Sequence, residues 1–142
     1  MYILCYYIYM EGIYRATTTT LSFVRYHLVF CARYRRKIFL IDGLEARFRE
    51  LVAQICEQNS FDIISLECNV DYCHLFVSVL PTVSAHEVAK EIKQGSAPVL
   101  LAEFPKLSKM PNLWTRNFLA STAEHLPQED ITEYVLLQRA RG

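Results

Sequence analysis

FDIISLECNVDYCHLFVSVL, residues 61–80, is the stretch on which the fold turns. Two β-rich runs, 61–70 and 74–80, lie on either side of a tight polar turn around 70–72. Runs this close together pair as an antiparallel hairpin. Pro81 stops the second run, because proline cannot donate to a ladder. In extended backbone, residues two apart point to the same side. Tyr72 and His74 therefore share one face of the hairpin, and Cys73 takes the other.

Upstream, 44–58 carries apolar residues at helical spacing (Leu44, Phe48, Leu51, Val52, Ile55), opened by the turn Asp42-Gly43 and closed by Asn59-Ser60. Before it, SFVRYHLVFC at 22–31 has strand composition. Downstream, Ser84 with Glu87 three positions on is a capping-box signature for a helix from Ala85 to about Lys93. Gly95 and Pro98 interrupt that pattern, and a second helical stretch is expected over 98–103. A loop over 104–111 leads to a fourth strand at 113–121, LWTRNFLAS. Pro127, Glu129 and Asp130 introduce a last helix over 131–141, with acids at its start and Arg139 and Arg141 at its end, as the helix dipole favours. The order is β-α-β-β-α-β-α. It predicts an α+β fold: a ferredoxin-like or RRM-like antiparallel sheet with helices on one face, plus a C-terminal helix. That architecture hosts many functions, so the site must supply the rest.

The 142 residues suit one domain, and 52% hydrophobic content is enough for a core. Residues 1–20 read as an apolar, tyrosine-rich leader ending in a polar tract, and 21–142 as the domain. Met10 is a candidate for the true start, which would make residues 1–9 an over-extended reading frame. The leader lacks the basic start and cleavage site of a secretory signal, and no apolar run is long enough for a membrane span. Five cysteines without a C-x-x-C pair argue for reduced thiols and a cytoplasmic protein. With 15 basic and 15 acidic residues, bulk charge gives no sign of a nucleic-acid binder, so any such case must come from local clustering.

Three places carry possible chemistry. Tyr72 and His74 offer one phenol and one imidazole on a common face, and a neutral phenol, with a pKa near ~10, is a poor ligand at neutral pH. By itself this segment is equally a half-buried hairpin with a satisfied histidine. Tyr134 and Gln138 are four apart on the last helix and share a face. A tyrosine hydroxyl can attack phosphorus if a metal polarises the phosphate, while the same pattern also describes a tyrosine packed on a core. Arg33, Tyr34, Arg35, Arg36 and Lys37 interleave cations with an aromatic ring at a strand end, suited to phosphates and an unpaired base. Lys90, Lys93 and Arg116 would extend that surface.

The blocks YHLVFCARYRRKIF (26–39), VDYCHLFVS (70–78), IKQGSAPVLLAEFP (92–105), LWTRNFLAST (113–122) and ITEYVLLQ (131–138) occur in order. Together they resemble the single-tyrosine HUH transposases of the smallest bacterial insertion sequences, the IS-two-hundred-like group. The resemblance spans about residues 20–138. It implies a ferredoxin-like homodimer acting on single-stranded DNA hairpins at transposon ends. It implies Mg²⁺ or Mn²⁺ held by two histidines and a glutamine, and a helix tyrosine that forms a 5′-phosphotyrosine link. By position the nucleophile would be Tyr134 and the metal ligands His74 and Gln138, with Tyr72 where the first histidine belongs. The DNA-binding set would be Arg33, Tyr34, Arg35, Arg36, Lys37, Lys93 and Arg116.

Other departures accumulate: Gln94 follows Lys93 where the family has glycine, Pro98 falls where a basic residue is common, and Glu124 stands where glycine is usual. Glu124 should either strain the turn or force another path. A catalytically impaired relative that keeps single-stranded DNA binding is the alternative reading. An unrelated ferredoxin-like interaction module, without DNA affinity, is a third.

Overall fold

A computed structural model describes Arg15, Ala16 and residues 19–138. Met10 and the rest of the leader before Arg15 lie outside the described residues, as do Arg139 and Arg141. The strands are β1 (Arg15–Ala16), β2 (Leu21–Ser22), β3 (Val24–Cys31), β4 (Asp62–Cys68), β5 (Tyr72–Val79) and β6 (Leu119–Ser121). The helices are α1 (Leu44–Asn59), α2 (Ala85–Glu103) and α3 (Gln128–Leu137). Four strands form an antiparallel sheet in the order β4-β5-β3-β6, while β1 and β2 pair separately. The expected α+β, ferredoxin-like order is therefore present, with a small β1–β2 ladder added in front. The end of the leader is held to the domain, since Arg15 binds the Asp62 carboxylate at 2.6 Å and the Ser60 and Ser78 carbonyls.

Alternation along the central strands divides the interior in two. Leu28, Phe30, Cys73, Leu75 and Val77 point to α1 and α2 and join the larger core around Trp114. Val29 and Cys31 point to the other face, where Leu126, Ile131 and Val135 of the α3 region cover them. That second, smaller cluster fixes α3 across the sheet face on which Tyr72 and His74 lie.

Three elements differ from the expectation. Residues 85–103 form one helix that runs through Pro98. Gly95 is a point of close approach there, not a break: a Cβ at that position would sit 2.5 Å from Ile55 Cδ1 of α1. The Ser84 hydroxyl caps the start by accepting from the Glu87 N–H, as the capping box predicts. The expected strand at 113–121 survives only as β6 and an isolated bridge between Ala32 and Trp114. The carbonyls of Thr115, Arg116 and Asn117 turn instead onto the Lys93 ammonium, at 2.8–3.1 Å, so they cannot serve a ladder. α3 also starts earlier than expected, immediately after Pro127. No described helix is long and apolar enough to cross a membrane.

Candidate active site

The hairpin places its residues as strand alternation requires. Cys73 is fully buried in the larger core, and Tyr72 and His74 are half-buried on the opposite face. The Tyr72 hydroxyl accepts from Asn69 Nδ2 at 2.9 Å and from Gln128 Nε2 at 3.2 Å. Its oxygen thus ties the hairpin turn to the first residue of α3. His74 lies opposite Val29 on β3 and Glu67 on β4. Its ring nitrogen Nε2 is 2.9 Å from Nδ1 of His27. Burial, followed by the charge of His27, holds the His74 imidazole below its usual range, so it is neutral near pH 7.

On α3, Tyr134 packs against the second cluster, and its hydroxyl donates to Asn117 Oδ1 at 3.2 Å. Burial, reinforced by nearby Cys31, pushes its pKa well above the ordinary phenol value. A phenol held this way is protonated and a weak nucleophile. Gln138 follows one turn later, 3% exposed, and its Nε2 donates to the Tyr134 carbonyl at 3.4 Å. The Gln138 Oε1 is buried without a hydrogen-bond partner.

Mg²⁺ and Mn²⁺ favour oxygen donors and accept imidazole nitrogen. A neutral imidazole at His74 and an unengaged amide oxygen at Gln138 suit such an ion in chemical character. Tyr72 does not, because its oxygen already accepts two hydrogen bonds. Among the described residues no three His, Cys, Asp or Glu side chains gather as a ligand group.

The cationic segment at 33–37 opens with a tight 3-10 turn, Arg33–Arg35, in which Tyr34 and Arg35 have positive φ (62° and 52°). Tyr34 projects outward at 58% exposure with the Arg33 guanidinium 5.5 Å from its ring centre. Arg35 is partly neutralised by Asp71 at 3.1 Å, and the Arg36 guanidinium donates to the Lys106 carbonyl. Arg36 and Lys37 line a recess with Lys106 and Lys109, two cations that sequence reasoning missed because some 70 residues separate the segments. Lys93 is not the surface cation expected of it. Its three N–H groups are taken by carbonyls and Phe30 and Phe118 flank it, while burial lowers its pKa to about 8. Lys90 and Arg116 line a separate groove beside α2 with His86 and Gln94. Glu124 takes the second of the two expected courses: it has no positive φ, so the turn avoids the left-handed region.

The sheet order and the helix laid over the His74 face define a ferredoxin-like α+β domain with an added C-terminal helix. A family model described as "Transposase IS200 like" matches residues 20–138, and the chain belongs to that family. It is 25% identical to the ISDra2 transposase TnpA of Deinococcus radiodurans over 115 residues, covering 79% of this chain and 81% of that one. To the transposase of insertion sequence element IS200 from Salmonella typhimurium it is 26% identical over 101 residues, or 69% of this chain and 66% of the relative. A crystal structure of a Deinococcus radiodurans transposase superposes with a TM-score of 0.81 at 25% identity, covering 89% of this chain and 98% of that one. A tyrosine transposase bound to a REP hairpin shares the fold, with a TM-score of 0.54 at 12% identity, over 85% of this chain and 67% of that one.

Proposed function

We propose that this transposase binds single-stranded hairpin DNA at insertion-sequence ends and cleaves and rejoins it through Tyr134. The observation that supports the reading is α3 itself: it packs Tyr134 on the sheet face that also carries His74, and it ends at Gln138, whose buried Oε1 has no hydrogen-bond partner. In the reaction the Tyr134 oxygen bonds to phosphorus and the bond from phosphorus to the 3′ oxygen breaks. A 5′-phosphotyrosine link forms, and the proton lost by the phenol is balanced by the one gained by the free 3′-hydroxyl. His74 and Gln138 would hold Mg²⁺ or Mn²⁺, which supplies charge to polarise the phosphate and ease loss of the phenol proton. The raised phenol pKa is the reason such help is needed. A homodimer in which each tyrosine serves the partner's site, as the family resemblance implies, belongs to the same proposal. The exposed Tyr34 and the recess of Arg36, Lys37, Lys106 and Lys109 suit an unpaired base and the phosphates.

A second reading, a relative that binds DNA but cuts it poorly, is favoured by the engaged Tyr72 phenol. The test uses the full chain, hairpin-bearing single strands from its own element, and Mn²⁺. A covalent protein–DNA adduct on a denaturing gel is expected, and Tyr134→Phe should abolish it. Persistence of the adduct in that variant would remove Tyr134 as nucleophile. Salt-sensitive binding without any wild-type adduct would establish the second reading.

A further inference from the structure

His27 meets His74 directly on the sheet. In the β3–β5 register His27 lies opposite Phe76 and His74 opposite Val29, so the two histidines are diagonal neighbours on the α3 face. Their facing nitrogens, His27 Nδ1 and His74 Nε2, are 2.9 Å apart, and the rings are tilted by 38°. The His27 ring is fixed from two further sides. Phe76 stacks on it at 3.8 Å and 3°, and its Nε2 lies 3.4 Å from the Glu124 carbonyl. With an N–H directed to that carbonyl, the ring's lone pair is at Nδ1, on the His74 side. This is how proteins orient a ligating histidine: the distal nitrogen donates to a carbonyl while the proximal one faces the metal.

The spacing matches as well. Two nitrogens each about 2.1 Å from one ion, at right angles, are separated by roughly 3 Å. The observed 2.9 Å, the length of the hydrogen bond between the two rings, is compatible with that separation once both lone pairs turn to one ion. Tyr72, by contrast, has its oxygen turned to Asn69 and Gln128.

We propose that His27 supplies the second imidazole of the divalent-ion site, from the neighbouring strand, in place of the histidine missing at Tyr72. The inference rests on the reading of His74 as a metal ligand. Binding exchanges one N–H···N hydrogen bond for two nitrogen–metal bonds, with the His74 proton moved from Nε2 to Nδ1.

The full chain is titrated with Mn²⁺ alone, followed by the paramagnetic signal of the free ion, and with Co²⁺ for proton NMR of the ligating rings. Wild type should show paramagnetically shifted ring protons from two imidazoles. His27→Gln should leave one and weaken Mn²⁺ at least about tenfold, the lower end of what loss of even an outer-shell partner costs. Tyr72→Phe should change neither readout. If His74→Gln abolishes binding while His27→Gln keeps both affinity and spectrum, the His27 assignment is overturned and the His74 site stands. If His74→Gln also binds normally, or wild type takes up no ion, both fall. Should His27→Gln fail to fold by circular dichroism, the wild-type Co²⁺ spectrum decides alone: one shifted imidazole overturns the inference.

Discussion

At Tyr72 the side chain plays a structural role. Its phenol bridges the hairpin turn and the start of α3 through Asn69 and Gln128, and a shorter imidazole does not span that distance. Tyr72→His should therefore raise covalent adduct yield with Mn²⁺ and hairpin DNA. It should also lower stability by about 1 kcal/mol, the net worth of a lost hydrogen bond, read as the midpoint of urea unfolding. An unchanged adduct yield would show that an imidazole at this position no longer reaches the ion. The sequence made the shared face of Tyr72 and His74 legible, because strand alternation is local. It left His27 unread: His27 and His74 are 47 positions apart, and only the register of β3 on β5 brings them together.

Among the elements, α2 shows where punctuation residues mislead. Gly95 and Pro98 read as interruptions, yet the helix continues because α1 packs closely on it at Gly95, with Ile55 filling the space a side chain would take. Gly95→Ala gains about 1 kcal/mol of helix propensity and meets Ile55, an overpacking worth about 1–3 kcal/mol. A net loss of about 1 kcal/mol is expected, recovered in Gly95→Ala with Ile55→Val, which removes the Cδ1 that a Cβ would meet. Chemical denaturation of the single and double variants checks this; a stabilised single variant would mean that Ile55 moves aside without cost. The failed strand at 113–121 has a similar origin. Its composition is strand-like, but a lysine 22 to 24 positions away claims its carbonyls. The hairpin, the α1 helix and the capped start of α2 were legible because period, turn and cap are all written within a few residues of one another.

For the whole molecule, zero net charge conceals an uneven surface. Arg36, Lys37, Lys106 and Lys109 line one recess without an acidic residue among its walls. Double substitution Lys106→Ala and Lys109→Ala should weaken hairpin binding and flatten the plot of log affinity against log salt. The slope should change by about 0.7 for each phosphate of the single strand that is no longer neutralised. Fluorescence anisotropy across a salt series measures it, and an unaltered slope would take the recess off the DNA path. Family membership came through five ordered blocks spread over most of the chain, whereas this recess required two distant segments to be folded side by side.

The bridge made by Tyr72 also bears on inheritance. On the proposed function, the residue that leaves a ligand position open is the one that fastens the hairpin to α3. A Tyr72→His reversion gives up the fastening in the same step that restores the imidazole.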